Sequence, residues 1–110
     1  MAYSEELAAR IRELTKGERG LTEKKMFGGL AFLVNGNMAV AASGQGGVLV
    51  RVAPAESDEL VRSTGARPME MRGREMAGWL RVDEGDVGSK RELAAWVGRG
   101  VAYARTLPAK

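Results

Sequence analysis

Asn35-Gly36, set between the apolar runs Leu30–Val34 and Met38–Ala42, constrains this chain more than any other pair of residues. A two-residue hairpin loop of type I′ needs positive φ at both central positions, and Asn-Gly meets that need at the least steric cost. The pair therefore predicts a tight antiparallel hairpin. Val34 should face Asn37, Leu33 should face Met38, Phe32 should face Ala39, Ala31 should face Val40 and Leu30 should face Ala41. Large residues then oppose small ones on both sides of the ribbon, so neither side reads as purely solvated.

The segments around the hairpin extend the pattern. Residues 4–15 read as a helix with Ser4 as N-cap, Glu5 and Glu6 at the positive end of the dipole, and Leu7, Ile11 and Leu14 on one stripe. Gly17 ends it. Lys25–Val34 reads as one long strand interrupted at Gly28-Gly29, or as two short strands kinked there. After the turn Ser43–Gly47, Val48–Val52 is a further strand, with Leu49 and Arg51 on the side opposite the valines. Pro54 opens a short helix to about Ser63, with Leu60 and Val61 inward and Gly65 as its C-terminal glycine. Residues 68–72 and 76–82 read as a second hairpin turned at Gly73. Met76, Gly78, Leu80 and Val82 fall on one face and Ala77, Trp79 and Arg81 on the other. Ser89 and Glu92 form a capping box ahead of a last helix whose inward stripe is Leu93, Trp96, Val97, Gly100, Val101 and Ala104. Pro108 follows it.

The order α-β-β-β-α-β-β-α predicts an α+β fold: a single antiparallel sheet of about five strands, with helices packed mainly on one face. The whole chain, residues 1–110, is expected to form one domain with residues 106–110 as a short tail. On the other face Leu49, Arg51 and Trp79 would stand together with apolar side chains of the first hairpin. A face that apolar calls for a cover, most simply a second copy of the chain, with Trp79 as the buried anchor.

Composition removes several kinds of chemistry. The sequence has no Cys and no His, which leaves no disulfide, no thiolate catalysis, no thiolate zinc site and no imidazole acid–base group. Any general base would have to be Asp, Glu, Lys or Tyr, and no Ser sits in a nucleophile elbow. The expectation is no catalytic residue, no metal and no cofactor. Net charge is +3, too small for a nucleic-acid footprint unless the cations gather on one face. The pI near 9.6 follows from the dominance of Arg over Lys rather than from a large excess of charge. The longest apolar runs are five residues, against about 18 or more for a membrane span. With no basic-then-apolar start, the chain is expected to be cytoplasmic and to have no membrane partner.

At this point the segments form a familiar series. Lys24–Ala42 with Met26-Phe27-Gly28-Gly29 ahead of the hairpin, the Gly-rich turn and Val48–Val52, Pro68-Met69 before the second hairpin, and Leu93-Ala94-Ala95-Trp96 in the last helix resemble the N-terminal domain of the TfoX (Sxy) family. The resemblance spans about residues 5–107. It implies a small α+β domain similar to secretion chaperones and YjbR-like proteins. It also implies a regulatory role, since the family includes coactivators of natural competence, while the domain also occurs alone without an assigned activity. This chain ends where that domain ends, so the helical C-terminal domain of the full-length regulators is not expected. The family has no agreed catalytic residues, and none is carried over.

The sequence offers one candidate interaction surface and three competing roles. The surface comprises Lys24, Lys25, Phe27, Gly28, Gly29, Leu49, Arg51, Trp79 and Arg81. The first role is a non-catalytic interaction module acting through a protein partner in transcriptional regulation, itself a homodimer. The second is a small nucleic-acid-binding protein that uses Arg67, Arg72, Arg74 and Arg81 around the second hairpin with Lys24, Lys25 and Arg51. The third is a small-ligand binder or enzyme with a pocket near Gly28-Gly29. A bent strand would explain the paired glycines without any ligand, and Ser43–Gly47 leads into a strand rather than a helix, unlike a phosphate loop. Asp83-Glu84-Gly85-Asp86 lacks the ligand spacing of a calcium loop and reads as a solvated turn.

Overall fold

A computed structural model describes residues 3–26 and 28–110. The Asn35-Gly36 turn forms with φ of 52° and 85° and joins β2 (Gly29–Val34) to β3 (Asn37–Ala42). Val34 faces Asn37 and Leu33 faces Met38, as expected. Beyond them the register moves by one: Phe32 faces Val40, Ala31 faces Ala41 and Leu30 faces Ala42. The expected partners of Phe32, Ala31 and Leu30 are corrected accordingly. Ala39 is the extra residue of a β-bulge. The bulge sends both Ala39 and Val40 to the same side of the sheet, into the main core.

Gly28-Gly29 does not kink a strand. The chain reverses there, and β1 (Leu21–Met26) runs back along β2 from Leu21 opposite Val34 to Met26 opposite Gly29. The sheet therefore has six strands rather than about five. With β4 (Val48–Arg51), β5 (Arg67–Met71) and β6 (Arg74–Val82), its order is β1-β2-β3-β4-β6-β5, antiparallel throughout. Glu23, Lys24 and Lys25 place charge along the β1 edge, and Pro68 sits in the β5 edge; both discourage further strand pairing.

The second hairpin turns on Arg72-Gly73, both at positive φ (54° and 78°). Leu80 and Val82 enter the main core, while Trp79 packs on the opposite side. Met76 does not follow Leu80 as strict alternation predicts; it stands beside Trp79. The reason lies at Gly78, whose φ of 87° breaks the alternation. Its carbonyl accepts a 2.8 Å hydrogen bond from the Val52 N–H.

Three helices back the sheet. In α1 (Glu5–Leu14) the Ser4 hydroxyl accepts from the Leu7 N–H, and Leu7, Ala8 and Ile11 are buried. Pro54 opens only a short 3-10 turn, Pro54–Glu56, and α2 follows at Ser57–Ser63. Its C-cap is Thr64, so Gly65 stands just past the helix end, as expected. Leu60 and Val61 pack against the core. In α3 (Lys90–Thr106) the Ser89–Glu92 capping box is complete, and the buried residues are the expected stripe. Gly100 meets the backbone carbonyl of Ala39 so closely that a Cβ there would collide with it. After α3 the tail folds back on the first hairpin. The Lys110 N–H donates to the Asn35 carbonyl and Asn37 Nδ2 donates to the Pro108 carbonyl, each at 2.9 Å.

Two predictions test this packing. Gly98 on the outer side of α3 has open space where a Cβ would stand. Gly98→Ala should therefore raise stability by up to about 1 kcal/mol through helix propensity. Gly100→Ala should lower it by about 1–2 kcal/mol, because overpacking outweighs the same gain. Urea unfolding of both variants reads the opposite signs. Separately, Arg12 Nε donates to Glu23 Oε2 at 2.7 Å. That hydrogen bond, aided by the charge, holds the Glu23 carboxyl below the usual glutamate range, with a weaker opposing push from burial. A lowered folded-state pKa stabilises above the unfolded value, and the gain disappears as pH falls through the folded one. Both side chains are well solvated, so the effect is small. Melting temperatures of Glu23→Gln should fall slightly less between neutral and acidic pH than those of the parent.

Candidate functional site

The helices cover one side of the sheet; the other carries no helix, and its large apolar side chains best exposed to solvent are Met71 and Met76. On that other side Ala31, Met38, Ala41 and Leu49 form a second small apolar cluster, joined by Met26, Leu33, Met69 and Trp79. Met26 belongs to β1 and Met69 to β5, the two outer strands. Laid flat, five inter-strand steps of about 4.8 Å would hold those strands roughly 24 Å apart. Both instead line the same hollows, so this side of the sheet is concave, a trough. Two adjoining hollows of about 350 and 210 Å³ lie along it and share Met26, Met38, Leu49, Met69 and Met71 as walls.

Five methionines, Met26, Met38, Met69, Met71 and Met76, line the larger hollow with Leu33, Leu49 and Trp79. Their unbranched thioether chains adapt to irregular surfaces at little cost, which is why methionine is favoured where a surface must accept more than one shape. Met71 and Met76 are 39% and 38% exposed, and Met38 only 8%.

Polar groups are few. Arg51 faces Trp79 across β4 and β6, and Leu49 faces Arg81. The Arg51 guanidinium carbon lies 4.8 Å from the Trp79 ring centroid and 5.7 Å from that of Tyr103 on α3. Arg51 and Lys110 border the larger hollow, with no carboxylate among its lining side chains. Arg81, Ser43, Gln45 and Glu70 border the smaller one. Arg81 Nη1 donates to Ser43 Oγ at 3.2 Å.

The structure thus brings Leu49, Arg51, Trp79 and Arg81 together, as the strand pattern requires. Lys24 shares the trough side of β1 with Met26, by alternation, whereas Lys25 follows Glu23 toward the helices. Gly28 is exposed in the β1–β2 turn. Gly29 borders the smaller hollow but is buried, and packs on the Ala42 carbonyl, so close strand approach accounts for it. Phe27 lies outside the described residues. The methionines went unread in the sequence. Their only signal was that unbranched side chains stood in strands where β-branched ones are usual.

The remaining motifs resolve locally. In Ser43–Gly47 the Gln45 N–H donates to Ser43 Oγ and the Gly46 N–H to the Ser43 carbonyl, so these donors are spent within the turn. Asp83 pairs with Arg67. No group of three or more Asp or Glu side chains is placed to hold a metal among the described residues. Nor is any helix among them long and apolar enough to cross a membrane.

An antiparallel sheet backed by helices on one side and free of helices on the other defines an open-faced α+β domain. Residues 13–104 match the family model described as the TfoX N-terminal domain, and the chain belongs to that family. Membership supports a regulatory or interaction role in general terms. No curated protein and no solved structure matches the chain significantly.

The trough makes its own prediction. Mild hydrogen peroxide should convert Met71 and Met76 to sulfoxides before Met38, as resolved by peptide mass spectrometry. Equal rates at the three sites would contradict the geometry.

Proposed function

We propose that this protein is a non-catalytic interaction module that works in transcriptional regulation by seating a protein partner on the uncovered face of its sheet. One observation carries the reading: the six-stranded sheet, served by helices on one side, carries on the other a second apolar cluster walled by methionines, of which Met71 and Met76 are exposed. A concave surface with adaptable, exposed methionine walls favours association with a partner. Family membership supports a regulatory setting, and a competence-type pathway is its narrower form. The absence of Cys and His from the sequence limits the chemistry such a surface could perform. A cytoplasmic location accords with this role.

The nucleic-acid reading finds less support. Lys24, Arg51 and Arg81 share the trough side, but the set is interrupted. Arg67 is paired with Asp83, Arg51 lies over Trp79, and Lys24 and Lys25 project to opposite sides of β1. A small-molecule site near Gly28-Gly29 would have to use the smaller hollow, whose 210 Å³ falls below the usual range of ligand pockets. A second copy of the chain is the competing occupant of the trough, and would make the protein a homodimer.

Capture from the native host with mass spectrometry tests the proposal. Met71→Asp with Met76→Asp should abolish capture while thermal melting stays within a few degrees, since both side chains are half exposed. Undiminished capture by that double variant would remove the sheet face from the interaction. Light scattering across a concentration series settles the competing occupant: a dimer dispersed by the same variant places the second copy there.

A further inference from the structure

The trough dictates the form of what can fill it. Its floor is made of central strands whose backbone N–H and C=O groups already pair within the sheet. An extended segment laid on that floor would bury its own backbone groups without partners, at a cost of about 1–3 kcal/mol each. A helix satisfies its backbone internally and offers only side chains, as α3 does on the other side of the same sheet. Charge narrows the choice further. Arg51 and Arg81 make no ion pair among the described residues. They occupy diagonal positions on the β4–β6 ladder, Arg51 opposite Trp79 and Arg81 opposite Leu49. Such positions lie about 7–8 Å apart, near the 5–6 Å between side chains one helical turn apart. Arg51 lies over the Trp79 and Tyr103 rings with no carboxylate partner among the described residues, and a guanidinium stacked on an aromatic face can still pair with a carboxylate through its N–H edge.

Resting on the reading that the uncovered face seats a protein partner, we infer that the occupant is an amphipathic helix that lays an apolar stripe over the methionines and sets two carboxylates, one turn apart, against Arg51 and Arg81. A second copy fits less well. Its own helices already serve its core, so it would present the same trough, bringing four unpaired guanidinium groups into one interface with Glu70 as the one carboxylate lining each hollow pair.

The probes are designed helical peptides with leucines at i, i+3, i+4 and i+7, flanked by glutamates at i+1 and i+5 or by lysines at the same positions. A third peptide has the glutamate sequence broken by a central proline. The full chain, labelled with ¹³C at the methionine methyls, reports occupancy through the five trough signals, and labelled-peptide anisotropy reports affinity. The glutamate helix should shift the trough methyls and bind about tenfold or more tighter than the lysine helix. The proline peptide should bind about tenfold or more weaker. Arg51→Glu, at a partly exposed position, should erase or reverse the charge preference while the melting curve persists. Equal binding of the two charge forms, tighter binding of the proline peptide, or no shift with any peptide at millimolar concentration would overturn the inference. So would methyl shifts that grow with protein concentration alone, which would assign the trough to a second copy. In all these cases the wider reading stands if capture from the native host still depends on Met71 and Met76. It falls only if that capture is indifferent to them.

Discussion

The seat of α3 on the bulged third strand governs the rest of the architecture. A helix can lie this close to a sheet only where both surfaces give way. Gly100 gives way by having no side chain, and β3 does so by placing Ala39 and Val40 on the same side. The contact fixes which side of the sheet is roofed. Once α3 is seated there, α1 and α2 complete the same roof, and Leu93, Val97, Val101 and Ala104 meet the strand valines in one core. The opposite side is left with its own, much smaller apolar cluster. An open face in this fold is therefore a result of how tightly the other face is closed.

Curvature turns that open face into a site. A flat sheet would offer a plain apolar surface, prone to indiscriminate sticking. The curl brings Met26 and Met69 from the two outer strands onto the central cluster and gives the surface walls. Bulges account for much of it, since the register shifts both between Phe32 and Leu33 and between Pro68 and Met69. Charged groups are few along the hollow, and the methionines leave it soft. The combination gives a partner directional cues at the rim without demanding a single shape beneath.

What could be read from the sequence was whatever depends on neighbours along the chain. Asn35-Gly36 places the hairpin, Ser89 and Glu92 place the start of α3, and the spacing from Leu93 to Ala104 identifies its buried stripe. Leu49, Arg51, Trp79 and Arg81 share one face of the sheet, which is legible because strand alternation is also local. What could not be read depends on partners distant in sequence. β1 carries Thr22, Glu23, Lys24 and Lys25, so it has no apolar alternation to betray a strand, and only its pairing with β2 makes it one. The bulge at Ala39 answers to Gly100, some sixty residues away, and no pattern within residues 37–42 announces it. The methionine walls escaped for the same reason: they come from four strands and meet only when the sheet curls.

The tail after α3 bears on how the molecule can be handled. Through the bonds from Lys110 to Asn35 and from Asn37 to Pro108, the last residues are pinned beside the first hairpin, and Lys110 borders the larger hollow. Any sequence appended beyond Lys110 would emerge at the mouth of the groove, on the Arg51 side. An affinity handle or reporter joined at that point would compete for the surface under study, whereas attachment before α1, whose outer residues face solvent, would leave it clear.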